Sequence, residues 1–150
     1  MDQKSSTTSK VVGYFPGAWD LVHCGHVLAL EEAKGHCDYL IVGLGAQPEI
    51  GNPSKNRPVM SLEERYRILR ANKFVDAIIV YETEYESVAL DSWLPYDVRF
   101  IGADHKGKEH PHIQHGKIIY LSRDHNYSSS ELRKRVYEVE LARLNKHAKI

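Results

Sequence analysis

Two histidines three positions apart, His23 and His26, with Gly25 between them, are the side chains in this sequence best placed to handle a phosphate. They stand where an apolar run, Val11 to Phe15, gives way to a helical pattern from Gly25 to Lys34. The amino end of a helix offers unpaired backbone N–H groups and the positive end of its dipole, and both suit an anion. Gly25 lets the backbone approach that anion with no side chain in the way. Both imidazoles can then donate hydrogen bonds to oxygens on which charge builds up during a reaction. A second anion site is expected further along. Ser128-Ser129-Ser130-Glu131 reads as a capping box whose hydroxyls add donors at a helix start, and Arg123 just upstream brings a fixed positive fork.

The elements that must position these groups alternate along the chain. Val11 to Phe15 and Tyr39 to Leu44 are continuous apolar runs of the kind found in strands covered on both faces. Between them the Gly25 to Lys34 helix has Leu28, Leu30 and Ala33 apolar, with Glu31 and Glu32 exposed and Gly35 at its close. The capping box Ser61-Leu-Glu-Glu64 opens a helix to about Asn72 that is expected to bury Leu62, Ile68 and Leu69. Further strands are predicted at Ala77 to Val80, Val98 to Ile101 and Ile118 to Leu121, with a short helix around Val88 to Leu94. The last helix follows Ser128, with Leu132, Val136 and Val139 on one face. This alternation predicts one α/β domain over residues 11–145: a Rossmann-like, open, parallel, five-stranded sheet with helices on both faces. Such sheets bind ligands at the carboxyl ends of their strands. Residues 1–10 read as a flexible polar tail.

Composition sets bounds on what that site can serve. The 150 residues are 42% hydrophobic and 27% charged, with 20 Lys plus Arg balanced by 20 Asp plus Glu. A neutral total argues against nucleic-acid or membrane-surface binding by bulk charge, so anions must be met by a few well-placed groups. Cys24 and Cys37 do not make a disulfide framework, and a cytoplasmic location is expected.

Gly17-Ala18-Trp19-Asp20-Leu-Val-His23-Cys-Gly25-His26 resembles the signature of the cytidylyltransferase branch of the HxGH nucleotidyltransferases. That branch includes glycerol-3-phosphate, choline-phosphate and ethanolamine-phosphate cytidylyltransferases, and the wider superfamily holds adenylyltransferases. The likeness continues through Asp38 to Gly43, Arg57 to Arg65, Phe74-Val-Asp76, Gly102-Ala-Asp104, and Arg123 with Tyr127 to Ser130. It implies transfer of CMP from CTP to a small phosphorylated alcohol, with release of pyrophosphate. By the same resemblance His23 and His26 would contact the triphosphate, and Gly17, Ala18, Trp19, Asp20 and Gly25 would line its site. Lys55 would reach the phosphates of both reactants, and Arg65 would lie near the acceptor phosphate. Gly102 and Asp104 would line the nucleoside pocket, while Arg123 with Tyr127, Ser128, Ser129 and Ser130 would hold the outer phosphates. Mg²⁺ would enter on the triphosphate, and the protein would be a homodimer.

Departures from the family pattern bear on substrate choice. Gly45-Ala-Gln-Pro48 replaces a polar step near the acceptor, and Ala103 and His105 flank Asp104 where the family has an acid and an aromatic. An adenylyltransferase acting on a sugar phosphate or flavin, and a non-catalytic nucleotide-binding module, are the competing readings. His110, His112 and His115 read as part of a solvated loop, and Tyr81 to Glu86 as an exposed connection.

Overall fold

A computed structural model describes residues 9–147. The tail expected at residues 1–10 lies almost wholly outside them. The elements run β1 (Val12–Gly17), α1 (Cys24–Gly35), β2 (Tyr39–Gln47), α2 (Leu62–Arg70), β3 (Ala77–Thr83), α3 (Glu84–Trp93), β4 (Val98–Ile101), a 3-10 turn (Ala103–His105), β5 (Lys117–Tyr120) and α4 (Ser129–His147). All four strand pairings are parallel, in the order β3-β2-β1-β4-β5. The order reverses between β1 and β4, which is where an open parallel sheet leaves a crevice for a ligand.

Side chains alternate cleanly between the two faces. Leu40, Val42 and Leu44 of β2 join Phe100 of β4, Leu30 and Ala33 of α1 and Leu69 of α2 in one core. On the other face Tyr14 stacks near Tyr96 and packs with Leu94, Ile41 and Ile79 beneath α3. Helices thus cover both faces, as the continuous apolar strands require. At the amino ends of the strands three aspartates accept backbone N–H groups. Asp38 takes that of Val11 at 2.8 Å, Asp97 that of Val12 at 2.8 Å, and Asp76 that of Leu40 at 2.7 Å. That end of the sheet is closed by polar ties, leaving the carboxyl end for chemistry.

Four local expectations change. Residues 81–86 are not an exposed connection: β3 runs on to Thr83 and α3 begins at Glu84, with Tyr81 buried against the sheet. The polar residues there still pair, Gly45 with Tyr81 and Gln47 with Thr83, so backbone pairing outlasts the apolar run. Ile68 is exposed, because Leu69 takes the inward position at the end of α2. The histidine-rich segment is not simply solvated. His115 stacks on Tyr96 with its Nε2 2.9 Å from the Leu94 carbonyl, and His112 lies 3.5 Å from Asp91. Both reach a buried polar cluster in which Arg99 grips Asp91 through Nε at 2.6 Å and Nη2 at 3.0 Å. Finally, Val136 and Val139 of α4 stand exposed, the sheet covering that helix no further than its first turns.

Candidate active site

The carboxyl ends of β1 and β4, the starts of α1 and α4, and the loop after β2 enclose a cavity of about 540 Å³. His23 is the cap residue of α1. Its Nδ1 accepts the Gly25 N–H at 3.0 Å, and its own N–H donates to His26 Nδ1 at 3.2 Å. This reciprocal cap fixes both rings. With each Nδ1 used as an acceptor, a neutral imidazole must carry its proton on Nε2, so the network assigns both histidines as Nε2–H donors.

Electrostatics keeps them neutral. Burial first, and then the neighbouring His125 and Arg123, push the His23 pKa below its ordinary value. Burial and His23 push His26 down to about 4, with Asp20 opposing. The arrangement suits hydrogen-bond donation near neutral pH rather than charge pairing. A Cβ at position 25 would come within 2.9 Å of both His23 and His125 ring carbons, so only glycine fits between them.

The second helix start meets the first here. Ser128 Oγ accepts the Glu131 N–H at 3.1 Å, capping α4, and Ser129 Oγ lies 3.2 Å from His23 Nε2. Two helix N-termini therefore converge on one cavity, bringing the positive ends of two helix dipoles together with hydroxyl and imidazole donors. Trp19 and Leu21 hold positive φ, 54° and 49°, on either side of Asp20. That conformation costs on the order of 1 kcal/mol or more for a bulky residue. Trp19 offsets it by donating Nε1–H to the Gly43 carbonyl at 2.9 Å and packing edge-on against Phe15. The turn directs the Asp20 carboxylate at the loop after β2, where it accepts the N–H groups of Val59 and Met60, both at 2.9 Å. Burial would raise the Asp20 pKa, yet those two bonds and Arg133 together hold it below the carboxylate norm.

The cavity wall includes His23, His26, Lys55 and Arg123, and with them Gly17, Ala18, Trp19, Asp20, Gly25, Gly102, Asp104, Tyr127, Ser128 and Ser129. Lys55 is held by Glu84 of α3 at 2.8 Å. Ser130 is not part of the wall. Nor is Arg65, which is only 2% exposed and lies beneath the floor. Its guanidinium donates to the carbonyls of Ala18 at 2.8 Å, Gly45 at 2.5 Å and Ala46 at 3.0 Å, while Nε reaches Met60 and Ser61. Those donors are turned to backbone, not to a ligand.

Among the wall residues outside the sequence-predicted set, two bond directly to site elements. His125 covers Gly25, with its Nδ1 taking the Tyr127 N–H at 3.2 Å. Arg133 reaches Asp20 from α4 at 2.6 Å. Its four-residue spacing from Ser129 puts both on one helix face, a signal available once Ser129 is assigned to the site. Among the described residues no three His, Cys, Asp or Glu side chains converge to hold a metal ion, and Asp20 is occupied with protein donors. No described helix is long and apolar enough to cross a membrane.

Comparison with known proteins places these features in a family. The family description "cytidylyltransferase-like" matches residues 14–135. The chain is 32% identical over 136 residues to an ethanolamine-phosphate cytidylyltransferase of Dictyostelium discoideum, an alignment spanning 85% of this chain and 38% of that protein. It is 37% identical over 100 residues to the bifunctional protein HldE of Campylobacter jejuni, spanning 66% of this chain and 22% of that one. The chain thus spans less than half the length of these curated relatives. Among solved structures, a lipopolysaccharide core biosynthesis protein from Thermoplasma volcanium superposes with a TM-score of 0.63 at 20% identity, over 78% of this chain and 100% of that one. That likeness is one of fold.

Proposed function

The chain belongs to the cytidylyltransferase-like family, and on that premise we propose that it transfers CMP from CTP to a small phosphorylated alcohol such as glycerol 3-phosphate or ethanolamine phosphate. The observation that carries the reading is the meeting of two capped helix N-termini at His23 and Ser129 in one cavity. Donors from two helix starts can hold the inner and outer phosphates of one triphosphate together, leaving the Lys55 side of the cavity for the acceptor phosphate. An oxygen of the acceptor phosphate attacks the α-phosphorus of the nucleotide, the bond to the bridging oxygen breaks, and pyrophosphate leaves with the electron pair. The acceptor phosphate is already ionised near neutral pH, so the step needs no general base. Catalysis then consists of holding the reactants in line and meeting the charge that develops on the leaving group. His23 and His26 supply Nε2–H donors, while Lys55 and Arg123 supply positive charge from opposite walls. In this reading Mg²⁺ is part of the substrate, arriving on the triphosphate. Arg65 serves from below, by shaping the floor. The proposal includes a homodimer in solution, to be checked by sedimentation.

A second reading, adenylyl transfer to a sugar phosphate or flavin, stands beside it because Ala103 and His105 depart from the family's acid and aromatic next to Asp104, where base choice is expected to be made. One experiment separates them: pyrophosphate release with Mg²⁺, crossing CTP and ATP against phosphorylated alcohols, amino alcohols and sugars. Release with CTP and one acceptor, reduced on the order of 100- to 1000-fold in His26→Ala, is the expected result. Release with ATP alone would move the chain to the second reading. Binding of nucleotide with no release from any pair would favour a binding module.

A further inference from the structure

Three elements that carry cavity residues are tied together by one carboxylate. Asp20, in the β1–α1 turn, accepts Val59 N–H on Oδ2 and Met60 N–H on Oδ1, both at 2.9 Å. These close the loop that carries Lys55. Arg133 Nη2 donates to the same Oδ2 at 2.6 Å from α4. One turn earlier on that helix Ser129 Oγ lies 3.2 Å from His23 Nε2 and 3.5 Å from the Asp20 carbonyl. Beyond Arg133 every described residue of α4, 134–147, is exposed. Arg133 is therefore the last described residue of this helix that the domain partly buries, and it lines the site.

The charge at this point matters as much as the tie. The Asp20 side chain is 8% exposed and Arg133 is 33% exposed, so the carboxylate sits under the guanidinium at the cavity wall. Without Arg133 the cavity would present a bare carboxylate to incoming phosphates. The carboxylate would also keep only its two backbone partners and lose the charge-assisted bond, the strongest type of the three. A helix anchor needs only apolar packing; a long cationic side chain reaching a buried acid beside a phosphate site does more than anchor.

We propose that Arg133 is a positioning residue: it neutralises and orients Asp20, and through Asp20 sets the Lys55 loop and the His23–Ser129 contact around the bound triphosphate. The proposal rests on reading the cavity as a nucleotide triphosphate site. Its link to the loop does not.

The test uses the whole chain with Arg133→Met, Arg133→Lys, Asp20→Asn and the Arg133→Met/Asp20→Asn double variant, and two readouts. One is calorimetric binding of inorganic triphosphate with Mg²⁺. The other is the rate of tryptic cleavage at Lys55–Asn56, the next basic site, Arg57, being shielded by Pro58. Arg133→Met should weaken triphosphate binding about tenfold, the scale of one unpaired like charge beside a partly screened site. It should also speed cleavage at Lys55 severalfold, and Arg133→Lys should recover part of both. Adding Asp20→Asn to Arg133→Met should restore most of the affinity while cleavage stays fast, because charge is relieved and the tie is not. A purely structural role would give no such recovery. Wild-type affinity and wild-type cleavage in Arg133→Met, or no relief by Asp20→Asn, would overturn the proposal. If Arg133→Met does not fold, Arg133→Lys and Asp20→Asn decide the matter: unchanged cleavage at Lys55 in Asp20→Asn overturns it. Failure of the wild-type chain to bind triphosphate would overturn the nucleotide reading, whereas the cleavage arm judges the Arg133–Asp20–loop link separately.

Discussion

Replacing Arg65 separates two roles that a cationic residue near a phosphate site can have. The sequence resemblance implies contact with the acceptor phosphate, and the structure instead places the guanidinium under the floor, with five backbone carbonyls around it. Three of these acceptors, on Ala18, Gly45 and Ala46, join two segments, the β1–α1 turn and the end of β2. Arg65→Met keeps the length of the aliphatic stem and removes every donor. Each buried carbonyl left without a partner costs on the order of 1–3 kcal/mol, and more when its partner was charged. Three independent losses would give roughly 3–9 kcal/mol, which partial collapse and water entry reduce to about 3–5 kcal/mol. Against a total stability of about 5–15 kcal/mol for a domain of this kind, that is a large share. Burial already pulls the Arg65 pKa down, but the guanidinium remains charged, with Asp20 and Glu49 favouring the charge.

The assay is urea unfolding followed by circular dichroism, with pyrophosphate release measured on the folded fraction at saturating and limiting acceptor. A floor role predicts a midpoint shifted by the equivalent of several kcal/mol, and lost turnover that tracks a displaced Ala18 and Gly45 rather than a raised acceptor KM. Arg65→Lys should recover little, since one ammonium cannot serve carbonyls spread around a planar fork. The reasoning is refuted if Arg65→Met unfolds at the wild-type midpoint and its only defect is a higher acceptor KM.

Three other outcomes follow from particular contacts. Gly25→Ala should lower turnover on the order of 100-fold, because its Cβ displaces the rings of His23 and His125 by several tenths of an ångström or more; unchanged turnover in a folded variant would count against the histidine cap as the reacting geometry. Arg99→Leu should cost about 3–5 kcal/mol in unfolding experiments, since Asp91, 1% exposed, loses both guanidinium bonds and keeps only the Tyr96 hydroxyl at 3.1 Å and His112 at 3.5 Å, and Arg99→Leu/Asp91→Leu should recover part of it. Stability should also fall in acid through His26. Its folded pKa of about 4 lies below the ordinary histidine value, so the unfolded chain binds the extra proton first, and stability is present above about pH 6.5 and lost as pH falls toward 4. Between pH 7 and 4.5 this amounts to roughly 2 kcal/mol, and His26→Gln should flatten the profile by that much; an unchanged slope would show that the ring is not held neutral.

The sequence displayed the part of this structure that local pattern encodes. Apolar runs marked the middle of each strand, and capping boxes marked the start of α2 and, through Ser128, of α4. What it hid were places where strand pairing continues without apolar side chains. The ends of β2 and β3 read as loop because Gln47, Glu82 and Thr83 are polar and Gly45 has no side chain, yet Gly45 pairs with Tyr81 and Gln47 with Thr83, and the Gln47 and Glu82 side chains bond each other. His112 and His115 read as solvated because their partners, Asp91 and Tyr96, lie on α3 and in the turn before β4, outside any local window. Arg65 looked like a ligand contact for a related reason. A cation near a phosphate motif is ambiguous until its burial is known, and sequence carries no direct statement of burial.

A chain with no net charge can still gather two polyanions, and the pairing of its cavity cations explains how. Lys55 is matched by Glu84 and Arg133 by Asp20, each acid coming from a different element than its cation. Pairing keeps long cationic side chains in place before substrate arrives, so less of their rotamer freedom is left to be lost on binding. The two acids differ in what they can do next. Glu84 sits at the first turn of α3 and is partly exposed, so Lys55 can leave it for a phosphate at small cost, as surface pairs contribute little. Asp20 is buried and tied to two backbone N–H groups, so Arg133 cannot leave without stranding it. One pair is therefore a reserve of mobile positive charge, and the other is a fixed part of the wall. If that distinction is right, Glu84→Gln should tighten triphosphate binding by freeing Lys55, whereas Asp20→Asn should loosen the Lys55 loop, and effects of the same sign on binding and on loop cleavage in the two variants would show it to be wrong.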